Sequence, residues 1–150
     1  MSFDIFRRAG ASYTALASAM TDLHEILYCS VLAADQPPNA VARIVSHARW
    51  RNATHGITGL LVFDGMRFCQ HIEGPRGTVT ALLSAIEQDP RHTDIRVVYD
   101  GPIAARRYPR FDMGLAESEG ADGIADIQLL DGLPALERFL QQRPGFDVSA

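Results

Sequence analysis

Residues 56–74 constrain the fold more than any other stretch, because two apolar segments there flank an Asp-Gly pair. The pair is Asp64-Gly65, and an Asp-Gly pair between apolar runs is the strongest short-range signal of a β-hairpin. The sequence therefore predicts two strands, 57–64 and 66–73, that are joined through this turn.

The two-residue period of a strand sorts the side chains of segment 66–73 onto two faces. One face carries Met66, Phe68, Gln70 and Ile72, and the other carries Arg67, Cys69, His71 and Glu73. Gln70 therefore stands in an apolar row. A buried amide without a partner costs about 2–7 kcal/mol on transfer scales, so we expect Gln70 to have a specific hydrogen-bonding partner.

The segments around the hairpin alternate between strand and helix periodicity. The predicted elements are a strand at 23–31, a helix at 39–53, a helix at 78–88 capped by Thr78, a strand at 94–100 and a short fifth strand with Phe111, Met113 and Leu115. This order is typical of an α+β fold with a ferredoxin-like βαββαβ core and an added fifth strand. Both helices, each apolar on one side, are expected on one sheet face.

Alternation within the first and fourth strands predicts which side chains share a face. In the first strand, the two faces carry Ile26, Tyr28 and Ser30 against Leu27, Cys29 and Val31. In the fourth strand, they carry Ile95, Val97 and Tyr99 against Arg96, Val98 and Asp100. Since the first strand has two usable faces, it is expected at the centre of the sheet.

The sheet face without helices needs a cover, and residues 123–142 are suited to provide it. They predict one or two amphipathic helices that are interrupted near Gly132-Leu133-Pro134, with apolar side chains at Ile124, Ile127, Leu129, Leu130, Leu133, Leu136, Phe139 and Leu140. The expected organisation is an N-terminal extension at 1–21, a core at 22–118 and a C-terminal helical cap at 119–150. Translation is expected to start at Met1 or Met20.

Composition excludes several classes of partner. The chain has 150 residues, of which 47% are hydrophobic, and a net charge of −4, so it predicts one globular domain without a basic surface for nucleic acid. Its apolar runs are far shorter than the roughly 20 residues that span a bilayer, and its start lacks a signal-peptide pattern. We therefore expect a cytoplasmic protein with no membrane partner and no metal site, in which Cys29 and Cys69 are free buried thiols.

Three polar side chains fall on faces that should be core: Tyr28, Gln70 and Asn52, which follows Ala48 by one helical turn. Each alone has an ordinary explanation, since a buried tyrosine bonds to a carbonyl, an asparagine caps a helix and a strand glutamine contacts water. A ferredoxin-like order, however, places the first and third strands side by side beneath the first helix. The three groups would then converge on one pocket, which suits a planar heteroaromatic ligand.

Six segments in order along the chain match a known family: Leu27-Tyr28-Cys29-Ser30, Ala48-Arg49-Trp50-Arg51-Asn52, Gly56-Ile57-Thr58-Gly59-Leu60-Leu61, Phe68-Cys69-Gln70-His71-Ile72-Glu73-Gly74-Pro75, Asp89-Pro90-Arg91-His92 and Arg106-Arg107-Tyr108-Pro109-Arg110-Phe111-Asp112-Met113-Gly114. From about residue 23 to 117 the chain resembles the BLUF domains, which are blue-light sensors that use flavin. Each segment alone is weak evidence, but their joint order is specific.

The resemblance implies a non-enzymatic blue-light photoreceptor with a non-covalently bound flavin, FAD or alternatively FMN. Light would drive electron and proton transfer from Tyr28, and Gln70 would rearrange its hydrogen bonds and signal to an unidentified downstream protein partner or within a homo-oligomer. The cofactor-binding positions implied are Tyr28, Asn52, Gln70, Met113 beside the glutamine, and Arg91 and His92 near the ribityl and phosphate end.

The sequence departs from the family pattern at two positions. Phe111 stands where many members carry a tryptophan, which is expected to affect dark recovery more than cofactor binding. Arg51 stands before Asn52, where an asparagine or histidine is common, and this difference is expected to affect the contacts to the flavin ring.

Two alternative functions are open to a chain of this fold. A small hydrolase of acylphosphatase type needs an arginine in the loop after the first strand, but loop 32–36 has none and contains an aspartate. A nucleophile pair of Cys69 and His71 fails on geometry, because residues two apart on a strand are about 6.6 Å apart. The second alternative is a BLUF-like interaction module without flavin, which the colour of the purified protein would distinguish.

Overall fold

The computed structural model describes residues 22–37, 39–115, 123–145 and 147–149. The expected N-terminal extension at 1–21 and the expected boundary between core and cap at 118 lie outside these residues. The described elements are β1 Leu23–Leu32, α1 Ala40–Thr54, β2 Thr58–Phe63, β3 Arg67–Pro75, α2 Arg76–Glu87, β4 His92–Pro102, β5 Phe111–Leu115, α3 Ile124–Gln128, α4 Leu133–Gln142, a 3₁₀ turn Arg143–Gly145 and β6 Asp147–Ser149.

The strands form one six-stranded sheet in the order β4-β1-β3-β2-β5-β6. The first four follow the ferredoxin-like order and pair antiparallel, while β5 pairs parallel with β2. The predicted fold class, the central position of β1 and the added fifth strand are confirmed. The sequence did not predict β6, which pairs antiparallel with β5.

The hairpin between β2 and β3 is longer at its turn than predicted. The Asp64 carboxylate oxygen Oδ1 accepts hydrogen bonds from the backbone N–H groups of Met66 at 3.0 Å and Arg67 at 2.7 Å. Gly65 has a φ of 101°, which disfavours other residues. These bonds keep residues 64–66 in the loop between the strands. Met66 is therefore 57% exposed and does not belong to the apolar row of β3.

The sheet separates two apolar clusters, which we name by the faces they cover. On the helix-side face, Ile26, Tyr28, Phe68 and Ile72 of the sheet pack with residues of α1 and α2, among them Ile44, Val45, Ala48, Val79, Leu82 and Ile86. On the cap-side face, Leu27, Cys29 and Cys69 pack with Ile124 and Ile127 of α3 and with Ala135 and Phe139 of α4. Both cysteines are buried and free, as predicted.

A bulge in β4 overturns the predicted alternation of that strand. Leu27 of β1 pairs with Tyr99, but Tyr28 pairs with Val97, so Val98 is an extra residue between them. An extra residue reverses which face the following side chains occupy. Tyr99 therefore packs on the cap-side cluster instead of beside Val97, and Asp100 lies on the other face, where it contacts His24.

The helix boundaries differ from the predictions at two places. α2 begins at Arg76 after Pro75, with no side-chain capping bond, so Thr78 does not cap it. In the cap, Leu129 and Leu133 are 83% and 58% exposed, because they flank the break between α3 and α4 and do not cover the sheet. Among the described residues, no helix is long and apolar enough to cross a membrane.

Candidate functional site

Pairing of β1 with β3 sets Tyr28 directly opposite Gln70. Both side chains are buried on the helix-side face, and the Tyr28 hydroxyl donates a hydrogen bond to Oε1 of Gln70. Burial raises the pKa of the Tyr28 hydroxyl, so the group keeps its proton and acts as the donor. The polar residue that the sequence predicted in the apolar row of β3 thus has its partner on the neighbouring strand.

Asn52 is the third polar group predicted for this region, and it lies on the buried side of α1 one turn after Ala48. Its side chain is 0% exposed, yet neither Nδ2 nor Oδ1 has a hydrogen-bonding partner within the described chain. An unsatisfied buried group costs about 1–3 kcal/mol. The Asn52 amide therefore has one donor and one acceptor available for a ligand.

A cavity between α1, α2 and the sheet connects these elements. Tyr28 and Gln70 line its floor, and basic side chains are prominent in its wall. The lining residues are Tyr28, Ile44, His47, Ala48, Arg51, Leu61, Gln70, Ile86, Asp89, Arg91 and His92. The pocket is thus a slot in which four aliphatic side chains face an aromatic and amide floor and a wall of charged and imidazole side chains.

Arg91 and His92 both line the cavity but differ in charge. Arg91 forms an ion pair with Asp89, in which Nη2 of the arginine lies 2.7 Å from Oδ2 of the carboxylate. The side-chain hydrogen bonds to Asp89 raise the pKa of Arg91. His92 accepts or donates a 3.1 Å hydrogen bond with Ser30 and packs its ring near Phe68. Burial lowers the pKa of His92, so of these two residues Arg91 carries the positive charge near neutral pH.

Arg51 lines the same cavity, a placement that the sequence did not predict. Its Nε atom is buried and has no partner among the described residues, and burial lowers the pKa of its guanidinium group. Helical spacing is the signal that could have indicated this contact, since Arg51 follows Ile44 by seven residues and Ala48 by three, which places the three on one side of α1. In sequence, Arg51 was notable only as a departure from the family pattern.

Comparison with known proteins shows which family this chain belongs to. The family model described as BLUF, sensors of blue-light using FAD, matches residues 23–114, more than half of the chain. The chain belongs to the BLUF family. It is therefore a blue-light sensor domain that binds flavin, FAD or FMN, and as a domain it is a sensor rather than an enzyme.

Among its relatives, the chain is 33% identical over 92% of its length to the photoactivated adenylate cyclase subunit beta of Euglena gracilis. It is 37% identical over 62% of its length to the blue light- and temperature-regulated antirepressor BluF of Escherichia coli. The chain spans only 15% and 23% of these two proteins. The solved dark-state structure of the BLUF protein BlrB is 34% identical, covers 79% of this chain and 84% of its own, and superposes with a TM-score of 0.60.

The pocket of this BLUF domain fits a flavin ring on an observation independent of the family. A flavin presents carbonyl oxygens and a ring N–H along one edge, and the unpaired amide of Asn52 offers a donor and an acceptor. Gln70 lines the cavity between α1, α2 and the sheet with a second amide, whereas Asn52 is not among the residues that line this cavity. No group of three or more histidine, cysteine or acidic side chains in the described ranges could hold a metal ion.

Met113 lies two strands away from Gln70 on the helix-side face, and its place beside the glutamine stays a prediction. Cross-strand pairing joins Gln70 to Leu61 and Leu61 to Met113, so β2 lies between the two residues. Neighbouring strands are about 4.8 Å apart, which separates their backbones by about 10 Å. Met113 packs, half-buried, against the helix-side cluster, and Phe111 is buried in the same cluster.

Proposed function

We propose that Tyr28 and Gln70 form the photochemical pair of this BLUF domain. The observation that supports the pair is the hydrogen bond from the Tyr28 hydroxyl to Oε1 of Gln70, two residues that both line the cavity beneath α1. The Tyr28 hydroxyl is buried, and the hydrogen bond that it makes within the described chain goes to the amide that can respond to the loss of its proton.

When bound, flavin supplies blue-light absorption and an excited state that accepts an electron and a proton. Tyr28 gives up its electron and its phenolic proton and later regains both, so the tyrosine is unchanged after the cycle. While the proton is absent, Gln70 loses the donor that fixes its Oε1 atom. The amide then adopts a second rotamer or tautomer, and the returning Tyr28 proton meets a different hydrogen-bonding pattern.

Asn52 and Gln70 are proposed to hold the polar edge of the ring, through the free amide of the first and the cavity-facing amide of the second. Arg91 is proposed to lie near an anionic tail, with Asp89 orienting its guanidinium group. His92 would contribute a neutral ring to the wall. Arg51 adds a second cationic group to the same cavity.

We further propose that the signal leaves through β5, which carries Met113, and through the cap formed by α3 and α4. The partner is a downstream protein or a second copy of the chain, and the site of action is the cytoplasm. BLUF domains act on downstream effectors, and β5 connects the helix-side cluster with β6 at the C-terminal end. The expected domain limits, 22–118 for the core and 119–150 for the cap, are part of this proposal.

One absorption experiment tests the proposed function. The purified full chain should be yellow, and blue light should shift its flavin bands to the red, with recovery in the dark. A colourless protein that takes up no added FAD or FMN would point to an interaction module without flavin. A yellow protein whose spectrum ignores blue light would contradict the photochemical role of Tyr28 and Gln70.

A further inference from the structure

A closed polar network lies on the cap-side face, directly behind the photochemical pair. Its centre is His71, which follows Gln70 in β3 and is 0% exposed. His71 is bonded at both ring nitrogens: Nε2 lies 2.7 Å from Oε1 of Glu25, and Nδ1 lies 2.7 Å from the Tyr108 hydroxyl. Such a ring can neither rotate nor shift without breaking a buried hydrogen bond.

The protonation states of the partners set the direction of these bonds. Burial raises the pKa of Glu25, but hydrogen bonds from His71 and Arg107 outweigh burial and leave this pKa below its usual value. Glu25 is therefore a carboxylate that accepts from both. Burial also raises the pKa of Tyr108, so its hydroxyl keeps its proton. In the neutral ring, His71 then donates from Nε2 to Glu25 and accepts at Nδ1 from Tyr108.

The network joins β3 to the loop that leads into β5. Glu73, two residues after His71 on the same face, accepts the backbone N–H groups of Arg107 at 2.8 Å and Tyr108 at 2.9 Å. Arg107 also donates from Nε to Glu25 at 3.0 Å. Tyr108 precedes Phe111, the first residue of β5, by three positions. These hydrogen bonds connect β3 to the segment that leads into β5, the strand that carries Met113.

The same histidine also contacts the cap. Its ring meets Phe139 of α4 edge to face, with centroids 5.4 Å apart, and meets the Tyr108 ring in the same way at 5.2 Å. Phe139 is fully buried in the cap-side cluster. His71 is thus the residue next to Gln70 that touches both the β5 loop and α4.

We propose that His71 is the positioning residue of the light response: it transmits the rearrangement of Gln70 through the sheet, by way of Tyr108 and Phe139, to the β5 loop and to α4. This inference rests on the proposed photochemical role of Gln70. Successive residues of a strand point to opposite faces, so a twist of β3 that moves Gln70 turns His71 in the opposite direction. Because His71 is hydrogen-bonded to Tyr108 and Glu25, its rotation displaces both of these residues.

Tyr108→Phe in the flavin-loaded full chain tests the relay, because it removes one hydroxyl and keeps the ring against His71. The red shift should remain. The light-induced change in hydrogen exchange across residues 133–142 should fall at least about threefold, and dark recovery should accelerate by about three- to tenfold, as the loss of one hydrogen bond allows. Tyr99→Phe is the matched control, since Tyr99 packs on the same cap-side cluster but outside the network, and it should match the wild type.

Two substitutions at His71 give an independent measurement. The amide nitrogen of His71→Gln can replace Nε2 toward Glu25, whereas His71→Leu removes both hydrogen bonds. The α4 response should decrease in the order wild type, His71→Gln, His71→Leu, with the red shift retained.

An α4 response and a recovery rate in Tyr108→Phe equal to those of the wild type would overturn the relay, as would equal responses in the two His71 variants and the wild type. Absence of a red shift in the wild type itself would contradict the proposed function. A failure of the relay alone is distinguished from that result by a normal wild-type red shift.

Discussion

On the helix-side face, Asn52 is buried with neither of its amide atoms bonded to any described residue, whereas on the cap-side face His71 is buried with both of its ring nitrogens bonded. The carboxylates of Glu25 and Glu73 on the cap-side face likewise accept several hydrogen bonds each. One sheet therefore separates a face that includes a buried amide without a partner in the described chain from a face whose central polar groups are already satisfied.

This difference shows how a small domain can use the two faces of one sheet, one to bind a cofactor and the other to transmit a displacement. A face with unpaired polar groups gains free energy when a ligand completes them, so it suits cofactor binding. A satisfied network resists independent motion of its members, so it suits transmission of a displacement. Each of the following predictions tests one side of this comparison.

Gln70→Leu should give the largest effect. The variant keeps the apolar slot and should still bind flavin, but it lacks the amide that rearranges, so the light-induced red shift should disappear. Difference spectra before and after blue light measure the effect, with Gln88→Leu, an exposed position after α2, as the control. A reversible red shift in Gln70→Leu would exclude this glutamine as the switch.

Tyr28→Phe should retain the yellow colour and lose nearly all of the normal photocycle. Phenylalanine has no transferable proton and is a much poorer electron donor than tyrosine. The quantum yield of the red shift is the quantity to measure, and Tyr99→Phe serves as a control on the other face of the sheet. A quantum yield equal to that of the wild type would mean that another residue supplies the electron.

Removal of residues 123–150 should separate the functions of the two faces. The remaining chain, 1–122, should bind flavin and shift its spectrum, because the pocket lies on the helix-side face. Light-dependent association with itself or with a partner should be lost, and solubility should fall, since an apolar surface of several hundred Å² becomes exposed, on the order of the largest patch that a monomer tolerates.

A chain that ends at residue 145 is the matched control for this truncation, because it removes only β6 from the edge of β5. Sedimentation in the dark and under light measures association. Loss of flavin from 1–122 would show that the cap belongs to the pocket, and retained light-dependent association would place the output at β5.

Asn52→Leu should change stability and binding in opposite directions. The variant removes an unsatisfied amide, so the free energy of unfolding of the flavin-free protein should rise by about 1 kcal/mol. Flavin affinity should fall about tenfold, which equals about 1.4 kcal/mol. Denaturant titration and fluorescence titration with FAD give the two values, and Asn39→Leu, at an exposed position without a capping bond, is the control. A lower stability of flavin-free Asn52→Leu would mean that the amide already has a partner.

The smallest expected effect is a difference in pH dependence between the faces. The folded pKa of His92 is lowered by burial, so its contribution to stability is complete above the usual value of 6.5 and is lost as pH falls through the lower, folded pKa. The folded pKa of Glu25 is lowered despite burial, because of its bonds to His71 and Arg107, so its contribution is lost only below the usual value of 4.5.

Chemical denaturation of the flavin-free protein between pH 7 and pH 3 should therefore show two losses of stability. His92→Gln should remove the loss that begins below 6.5, and Glu25→Gln should reduce the loss that begins below 4.5. Identical pH profiles for wild type and Glu25→Gln would indicate that the cap-side network does not depend on this charge.

The features that depend on local periodicity could be predicted from the amino-acid sequence. Alternation placed Gln70 among apolar residues and His71 on the opposite face, and helical spacing placed Asn52 in line with Ala48. The Asp-Gly pair located the hairpin to within a few residues. The family motifs added the identity of the ligand, which no periodicity could supply.

The partners that these residues contact depend on how distant segments pack together. The extra residue Val98 sends Tyr99 to the cap-side face, and strand alternation gives no signal for a bulge. His71 meets Tyr108, a residue 37 positions away, because the loop before β5 folds back over β3. Periodicity is a property of neighbouring residues, whereas a hydrogen bond between distant segments depends on the register and closure of the whole sheet, which no local pattern specifies.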